Sequence, residues 1–341
     1  MNSDSPFMKE MLDWIDMNIH FPITDPTWIF FLVLVIILFA PIVLERLRIP
    51  HIIGMILAGV VIGEHGFNIL ARDSSFELFG KVGLYYIMFL AGLEMNMEDF
   101  KSIRVKATVL GLLAFVFPLG IGIWTNLHIL GYGLITSVLL ASMYASHTLI
   151  AYPIVIRYGI NRQRAVSIAV GGTAVTDTLT LLVLAVVGGM FKGDTSGMFW
   201  VWLVLKVIVL SMIIMYTFPR IGRWFFRRYS DNVVQYIFVM AMVFLGAGLM
   251  EMVGMEGILG AFLAGLVLNR LIPHVSPLMS HLEFVGNALF IPYFLIGVGM
   301  LINVNVLFGH IDSLKVAGVM IIVALVGKWI ASWLTQKIYH M

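Results

Sequence analysis

A chain of 341 residues in which only 12% are charged is too apolar for a soluble globular domain, where about 25% would be charged. Hydrophobic residues make up 60% of it, and the mean hydropathy of +0.99 indicates a bilayer rather than water as the solvent. The formal net charge is +2 and cysteine is absent, which excludes a disulfide framework and thiol chemistry.

Residues 1–26 precede the first long apolar run. They include several charged residues and lack the basic start, apolar core and small-residue cleavage site of a signal peptide. We therefore expect a short amphipathic segment that lies at the membrane surface.

Eleven apolar segments then follow that are long enough to cross a bilayer or nearly so. In chain order they are residues 27–45, 50–63, 78–95, 105–125, 131–155, 164–190, 198–219, 232–250, 256–269, 284–302 and 314–336. The second and the ninth are short for a span, so we expect them to be tilted or buried among other helices. The sequence thus predicts an all-α, polytopic membrane protein with about eleven transmembrane helices.

Lysine and arginine are distributed unevenly between the two sets of loops. Fourteen of the 21 fall on one side and five on the other, while Lys206 and Lys328 lie inside predicted helices. Because positively charged loops stay in the cytoplasm, we expect the N-terminus outside and the C-terminus in the cytoplasm. For Lys206, near the outer half of its helix, we expect a side chain that reaches back to the membrane surface.

Three pairs of similar stretches recur at an offset of 205 or 206 residues. They are Leu57-Ala58-Gly59 with Leu263-Ala264-Gly265, Phe89–Met95 with Phe294–Met300, and Glu45 with Glu251. With one odd helix between them, the two copies would start on opposite sides of the membrane, which is typical of secondary transporters. The repeat predicts four parts: a surface segment (1–26), a first repeat of six helices (27–190), a linker helix (191–230) and an incomplete second repeat of four helices (231–341).

Asp177 is the one acid among nineteen that falls near the middle of a predicted span. A carboxylate at that depth costs at least about 2.5–3.5 kcal/mol and is by default a functional hypothesis. Burial favours its protonated form, and a bound cation or a nearby lysine favours its ionised form. Such a site can hold a proton or a cation but not both. The alternative is a buried aspartate that ties its helix to another one.

Lys328 is the second candidate, just off the middle of the last span, and the alternative for it is a lysine that reaches the headgroups. Ser146 and Thr148 could supply hard oxygen ligands for an alkali cation, or make ordinary hydrogen bonds between helices. His147 could sense pH or serve as a structural hydrogen-bonding group. We see no phosphate loop, no metal-spaced cluster and no nucleophile–base pair, so neither an enzyme nor a cofactor is expected.

Several stretches in this order and spacing resemble the monovalent cation:proton antiporters, in the branch of Kef-type and Nap-type sodium or potassium/proton exchangers. They are Arg48-Ile49-Pro50, Gly54–Gly59, Phe89–Glu94, Ser146-His147-Thr148 at the Ser/Thr-rich break of the crossing helix, Thr176-Asp177 at the ion-binding motif, and Gly327-Lys328 at the basic residue of the facing helix.

The resemblance implies an inverted-repeat antiporter fold that exchanges Na⁺ or K⁺ for H⁺ across the bacterial inner membrane by alternating access. It implies that Asp177 binds H⁺ and the cation in turn, that Thr176, Thr148 and Ser146 line the ion site, and that Lys328 is their basic partner. It also implies a homodimer, and neither a cofactor nor a nucleic-acid partner beyond the transported ions and the lipid bilayer.

Two departures from the family pattern shape the expectation. Thr176 stands where electrogenic members carry an acid paired to the lysine, so we expect electroneutral exchange and a lysine without that partner. The second repeat stops two helices early, so a truncated form, or a non-transporting membrane scaffold or sensor of the same fold, is the alternative. A cation channel is a third reading.

Overall fold

The computed structural model of the protein describes residues 21–46, 51–94, 97–145, 155, 158–160, 163–192, 197–273, 275–309 and 311–339. Within these ranges the α-helices are α1 (Pro26–Glu45), α2 (His51–Ile62), α3 (Ser74–Glu94), α4 (Met97–His128), α5 (Leu134–Ala145), α6 (Arg164–Lys192), α7 (Gly197–Arg228), α8 (Asn232–Met252), α9 (Gly257–Leu268), α10 (Pro277–Val285), α11 (Ile291–Met300), α12 (Val304–Gly309) and α13 (Ile311–Tyr339). Extended pairing in the same ranges is an isolated bridge between Ile23 and Leu70.

Each of the eleven predicted segments contains a helix, which confirms the all-α, polytopic class. Seven helices of the described chain are long and apolar enough to cross a membrane, judged by length and composition. They are Pro26–Leu44, Ser74–Leu93, Ile103–His128, Leu205–Arg228, Asn232–Met252, Pro277–Met300 and Asp312–Tyr339. Shorter apolar helices are Ile52–Ile62, Leu134–Ala145 and Gly257–Leu268.

Three predicted helix boundaries were wrong by seven residues or more. Helix α4 begins at Met97 instead of residue 105. The seventh segment does not stop at Pro219, because α7 continues through it to Arg228 and so carries its arginines on a helix rather than in a loop. The tenth begins at Pro277 instead of residue 284. Its start signal was missed: the Ser276 side chain accepts a hydrogen bond from the Met279 amide (3.2 Å) and proline fills the first helical position.

A π-helical turn, Gly286–Phe290, joins α10 to α11. Proline at position 292 has no amide proton to donate to the carbonyl group four residues earlier. The wider turn just before it changes the local pairing without ending the helix, as π-turns inside α-helices do.

By packing, the chain divides into two compact units, of which the first comprises Met1–Gly83 and Asn287–Gly309. In this unit α2 packs against α1 and α11. Glycine permits the closest approach of α2 and α11, because a β-carbon at Gly59 would overlap the carbonyl oxygen of Ile296, and one at Gly299 would overlap that of Ile56.

The second unit comprises Leu84–Gly286 and His310–Met341. One part of it surrounds α4, which packs against α5, α6 and α13, and in the other part α8 and α9 pack together with α7 alongside. The C-terminal half of α3 lies against α9, where a β-carbon at Gly92 would lie 2.5 Å from the carbonyl oxygen of Phe262.

The carbonyl groups of two of these glycine contacts match across the sequence repeat, although the glycines themselves are two positions out of register. Ile56 of α2 and Phe262 of α9 are 206 residues apart. The carbonyl oxygen of Ile56 faces Gly299 of α11, and that of Phe262 faces Gly92 of α3. In each unit, therefore, the second helix of one repeat packs on the third helix of the other. The packing units cut across the sequence repeats for this reason.

α4 and α6 cross closely at small residues. A β-carbon at Gly111 would lie 2.6 Å from the carbonyl oxygen of Gly172, and one at Gly171 would lie 3.0 Å from the β-carbon of Ala107. Ala107 also belongs to a buried apolar cluster with Ile103 and Ile168. Backbone contact of this kind fixes the position of α6 along α4.

Gly111→Ala should lower the free energy of unfolding by about 1–3 kcal/mol, because the new methyl group collides with the α6 backbone. The matched control is Gly120→Ala on the same helix, where no atom lies within 4 Å of the added carbon. It should leave stability unchanged or raise it by up to about 1 kcal/mol. Unfolding in mixed detergent micelles, followed by circular dichroism, measures both. Equal effects would contradict the close crossing.

Candidate functional site

Asp177 lies at the centre of α6 and is half-buried. Thr173, Thr176 and Thr180 recur on the same side of the helix at intervals of three and four residues, and all three are buried. The bounds of α6 place Asp177 far from either end of the helix, as predicted.

A cavity of about 90 Å³ lies beside this threonine face, between α4, α6 and α13 and the last described residue of α5. Its lining residues are Leu110, Ala114, Ala145, Ala169, Gly172, Thr173, Thr176, Lys328 and Ser332. The volume suits several water molecules. Asp177 is not among these lining residues, whereas Thr176 and Lys328 of the predicted site are.

The threonine hydroxyl groups are oriented as acceptors. Thr173 donates its hydroxyl proton to the carbonyl oxygen of Ala169 (2.9 Å), and Thr176 donates to that of Thr173 (2.8 Å). Each hydroxyl oxygen therefore keeps its lone pairs for another donor or for a cation. The cavity thus offers oxygen acceptors beside the ammonium group of Lys328.

Pro118 adds a further acceptor in α4. It has no amide proton, so the carbonyl oxygen of Ala114 lacks its usual donor four residues later, and Ala114 lines the cavity. Helix α13 packs closely on Pro118, since a β-carbon at Gly327 would lie 2.7 Å from the proline ring. The same proline thus leaves a carbonyl group of α4 without its helical donor and contacts α13 beside Lys328.

Lys328 is half-buried, and its charge interacts with that of Asp177. The sequence left Lys328 without an acidic partner because Thr176 occupies the neighbouring motif position. In the structure the charge that acts on Lys328 is that of Asp177, the second position of the same motif. Opposite charges stabilise one another in an apolar surrounding, where a single charge would be costly.

Hydrogen bonds between helices hold α5 against α4 and α6. Thr180 donates to the carbonyl oxygen of Ser142 (3.2 Å), and Tyr144 donates to the side-chain oxygen of Asn126 (2.7 Å). The amide of Asn126 in turn donates to the carbonyl oxygen of Ser137 (3.1 Å). These contacts fix Ala145, the residue of α5 that lines the cavity.

Sequence reasoning missed Thr173, Thr180 and the Pro118–Ala114 pair. Their signals were present, as hydroxyl groups at helical spacing around Asp177 and as a proline inside an apolar run. The predicted ligands Ser146 and Thr148 and the predicted pH sensor His147 lie outside the described residues. For Lys206 the structure gives an exposed side chain.

Within the described ranges, no group of three or more His, Cys, Asp or Glu residues could hold a metal ion. A cation bound by Asp177 would therefore draw its other ligands from hydroxyl and carbonyl oxygens. These are the hard ligands that alkali cations accept, and the residues that line the cavity include three with a hydroxyl group, Thr173, Thr176 and Ser332.

Helices α6 and α13 thus bring a carboxylate and a lysine whose charges interact into one bundle of apolar helices. The chain belongs to the sodium/hydrogen exchanger family, whose transmembrane region matches residues 34–341. The prediction of a monovalent cation:proton antiporter family is thereby confirmed.

Individual relatives support the same family assignment. The chain is 39% identical over 316 residues to "Na(+)/H(+) antiporter NhaS5" of Synechocystis sp., covering 92% of this chain and 45% of that protein. It is 30% identical over 316 residues to "Probable Na(+)/H(+) antiporter 3" of Methanocaldococcus jannaschii, covering 91% and 80%. The chain thus spans less than half of the first relative's length and four fifths of the second's.

The fold is that of a solved transporter. The sodium proton antiporter MjNhaP1 from Methanocaldococcus jannaschii superposes with a TM-score of 0.66 at 16% identity, covering 91% of this chain and 78% of that one. At this identity the likeness concerns the fold, and it confirms the predicted antiporter-type helical architecture.

Thr180→Val should lower the free energy of unfolding by about 0.6 kcal/mol and by no more than about 1.7 kcal/mol, the range for hydrogen bonds between membrane helices. Thr217→Val is the control, because the Thr217 hydroxyl donates to Ile213 of its own helix (2.8 Å). The difference between the two variants, measured by unfolding in mixed micelles, reports the α5–α6 bond. No difference would contradict it.

Proposed function

We propose that this chain exchanges Na⁺ for H⁺ across the membrane by alternating access, with Asp177 as the shared binding group. The observation that carries the proposal is the carboxylate at the centre of α6 whose charge interacts with that of Lys328. Membership of the sodium/hydrogen exchanger family supports it.

The chemistry is a competition for one carboxylate. When Asp177 is ionised, its charge is balanced by Lys328 or by a bound cation, and when it is protonated it is neutral and needs neither. A cation that binds ionised Asp177 takes over from Lys328 the role of counter-charge. The hydroxyl and carbonyl oxygens of the adjoining cavity can then accept hydrogen bonds from the lysine ammonium group.

Na⁺ is the substrate we propose, because the two relatives described above are named as Na(+)/H(+) antiporters. K⁺ is the second candidate, since the oxygen ligands available here suit both ions and cavity size decides between them. We also propose the bacterial inner membrane as the location, with the N-terminus outside, the C-terminus in the cytoplasm, and a homodimer as the assembly.

Asp177→Asn should abolish proton release on addition of Na⁺, because an amide can neither carry the proton nor balance a cation. The measurement is the fluorescence of a pH-sensitive dye in proteoliposomes loaded with the purified chain. The matched control is Asp312→Asn, an exposed aspartate in the first turn of α13, which should keep the wild-type signal.

Equal signals from wild type and Asp177→Asn would contradict the assignment of Asp177. No Na⁺-dependent or K⁺-dependent signal from the correctly folded wild-type chain would favour the alternative, a non-transporting scaffold or sensor of the same fold. A cation flux without proton movement would favour a channel.

We further propose electroneutral exchange, one cation for one proton, because one acid occupies the two-residue motif. An imposed membrane potential of 100 mV should then leave the initial exchange rate unchanged. An uncompensated charge per cycle would couple to that potential with about 2.3 kcal/mol. Valinomycin-clamped proteoliposomes measure the effect, with Na⁺ as substrate. A rate that rises severalfold with the potential would contradict one-for-one exchange.

A further inference from the structure

One face of α7 carries charge that the exchange chemistry does not use. Arg220, Arg223 and Arg227 follow Tyr216 at intervals of four, three and four residues, which places all four side chains within about 60° of one another around the helix. All four are exposed. The sequence contains no acid between Gly197 and Ser230.

The opposite face of α7 is the one that packs. Ile214 and Phe218 are buried, and a β-carbon at Gly222 would lie 2.7 Å from the side chain of Leu271. Phe225 stacks on Phe238 of α8 at a centroid distance of 4.0 Å. The arginine face therefore points away from the packed interior of its unit.

The arginines retain most of their donors. Arg220 lies over the ring of Tyr216 (3.2 Å to the centroid) and donates one hydrogen bond to its carbonyl oxygen (2.8 Å). Arg223 donates one to the carbonyl oxygen of Pro219 (3.2 Å). Asp231, the nearest acid in sequence, caps α8 by accepting from the Val234 amide (2.9 Å). In the described chain none of these arginines forms a salt bridge.

The same face is apolar toward the other end of the helix. Leu205, Val209, Met212 and Ile213 are exposed along it, over about 17 Å from Leu205 to Tyr216, close to the thickness of half a bilayer core. Arg220 to Arg227 add about 10 Å, roughly the depth of one headgroup layer. We define this face, Leu205 to Arg227, as the α7 stripe.

We propose that the α7 stripe binds an anionic phospholipid, with its acyl chains along the apolar part and its phosphate on Arg220, Arg223 and Arg227. Guanidinium groups bind phosphate oxygens in pairs of hydrogen bonds, and Tyr216 lies at the junction, where aromatic side chains sit at the membrane interface. A second copy of the chain fits this face less well, because two-fold packing would bring like charges together without an acid to separate them.

The test is native mass spectrometry of the full chain with dioleoyl-phosphatidylglycerol or dioleoyl-phosphatidylcholine. Wild type should retain phosphatidylglycerol preferentially. The triple variant R220Q/R223Q/R227Q should bind it about a hundredfold more weakly, or about fivefold for each arginine. The control R46Q/R228Q/R270Q removes the same charge at exposed arginines outside the stripe and should keep the preference. The variant R220K/R223K/R227K should bind with intermediate affinity, because lysine keeps the charge but not the paired donors.

The same spectra distinguish the other occupants. Equal loss in both triple variants, or no preference in wild type, would overturn the proposal in favour of general charge attraction. Displacement of the lipid by millimolar glycerol phosphate would overturn it in favour of a soluble phosphate ligand. A change of oligomeric mass in R220Q/R223Q/R227Q with lipid preference intact would overturn it in favour of a second copy. The readout is independent of ion exchange, so it stands apart from the proposed function.

Discussion

The electrostatic interaction of Asp177 with Lys328 is the constraint on which the proposed site depends, because a single charge in an apolar bundle is costly and an opposite charge nearby offsets part of that cost. They belong to different helices, α6 and α13, so their interaction requires both helices to pack closely on α4. Gly111 permits the first contact and Gly327 the second. A larger residue at either position would move a charge as well as a helix.

Small residues have the same role elsewhere in the chain. The second helix of each repeat packs on the third helix of the other, and in both units a glycine of the third helix meets a carbonyl oxygen of the second. Helices that meet through backbone atoms gain van der Waals contact in a bilayer, where burial of apolar surface gives little driving force. The inverted repeat of the sequence is thus expressed as a repeated kind of contact.

Apolar runs predicted the long apolar helices of the described chain, because a bilayer requires them, but not the short α12; the repeat and motif residues predicted the family. Helix ends were less predictable. Pro219 looked like a stop, but α7 continues through it, and Ser276-Pro277 marked a start that hydropathy alone does not detect. Thr176 and Lys328, which line the cavity, could be singled out from the sequence by motif position and charge. Thr180 and Ala114 were not, because their roles arise from a neighbouring helix and from a missing amide proton.

Competition of one proton and one cation for Asp177 is tested most directly by radioactive sodium binding to the purified chain as a function of pH. If Na⁺ displaces one proton, the apparent dissociation constant for Na⁺ falls tenfold for each unit by which the pH rises, over the range in which the carboxyl group is protonated. It becomes constant once the group is ionised. A dissociation constant that does not change with pH would contradict the competition, and a hundredfold change per unit would require a second proton-binding group.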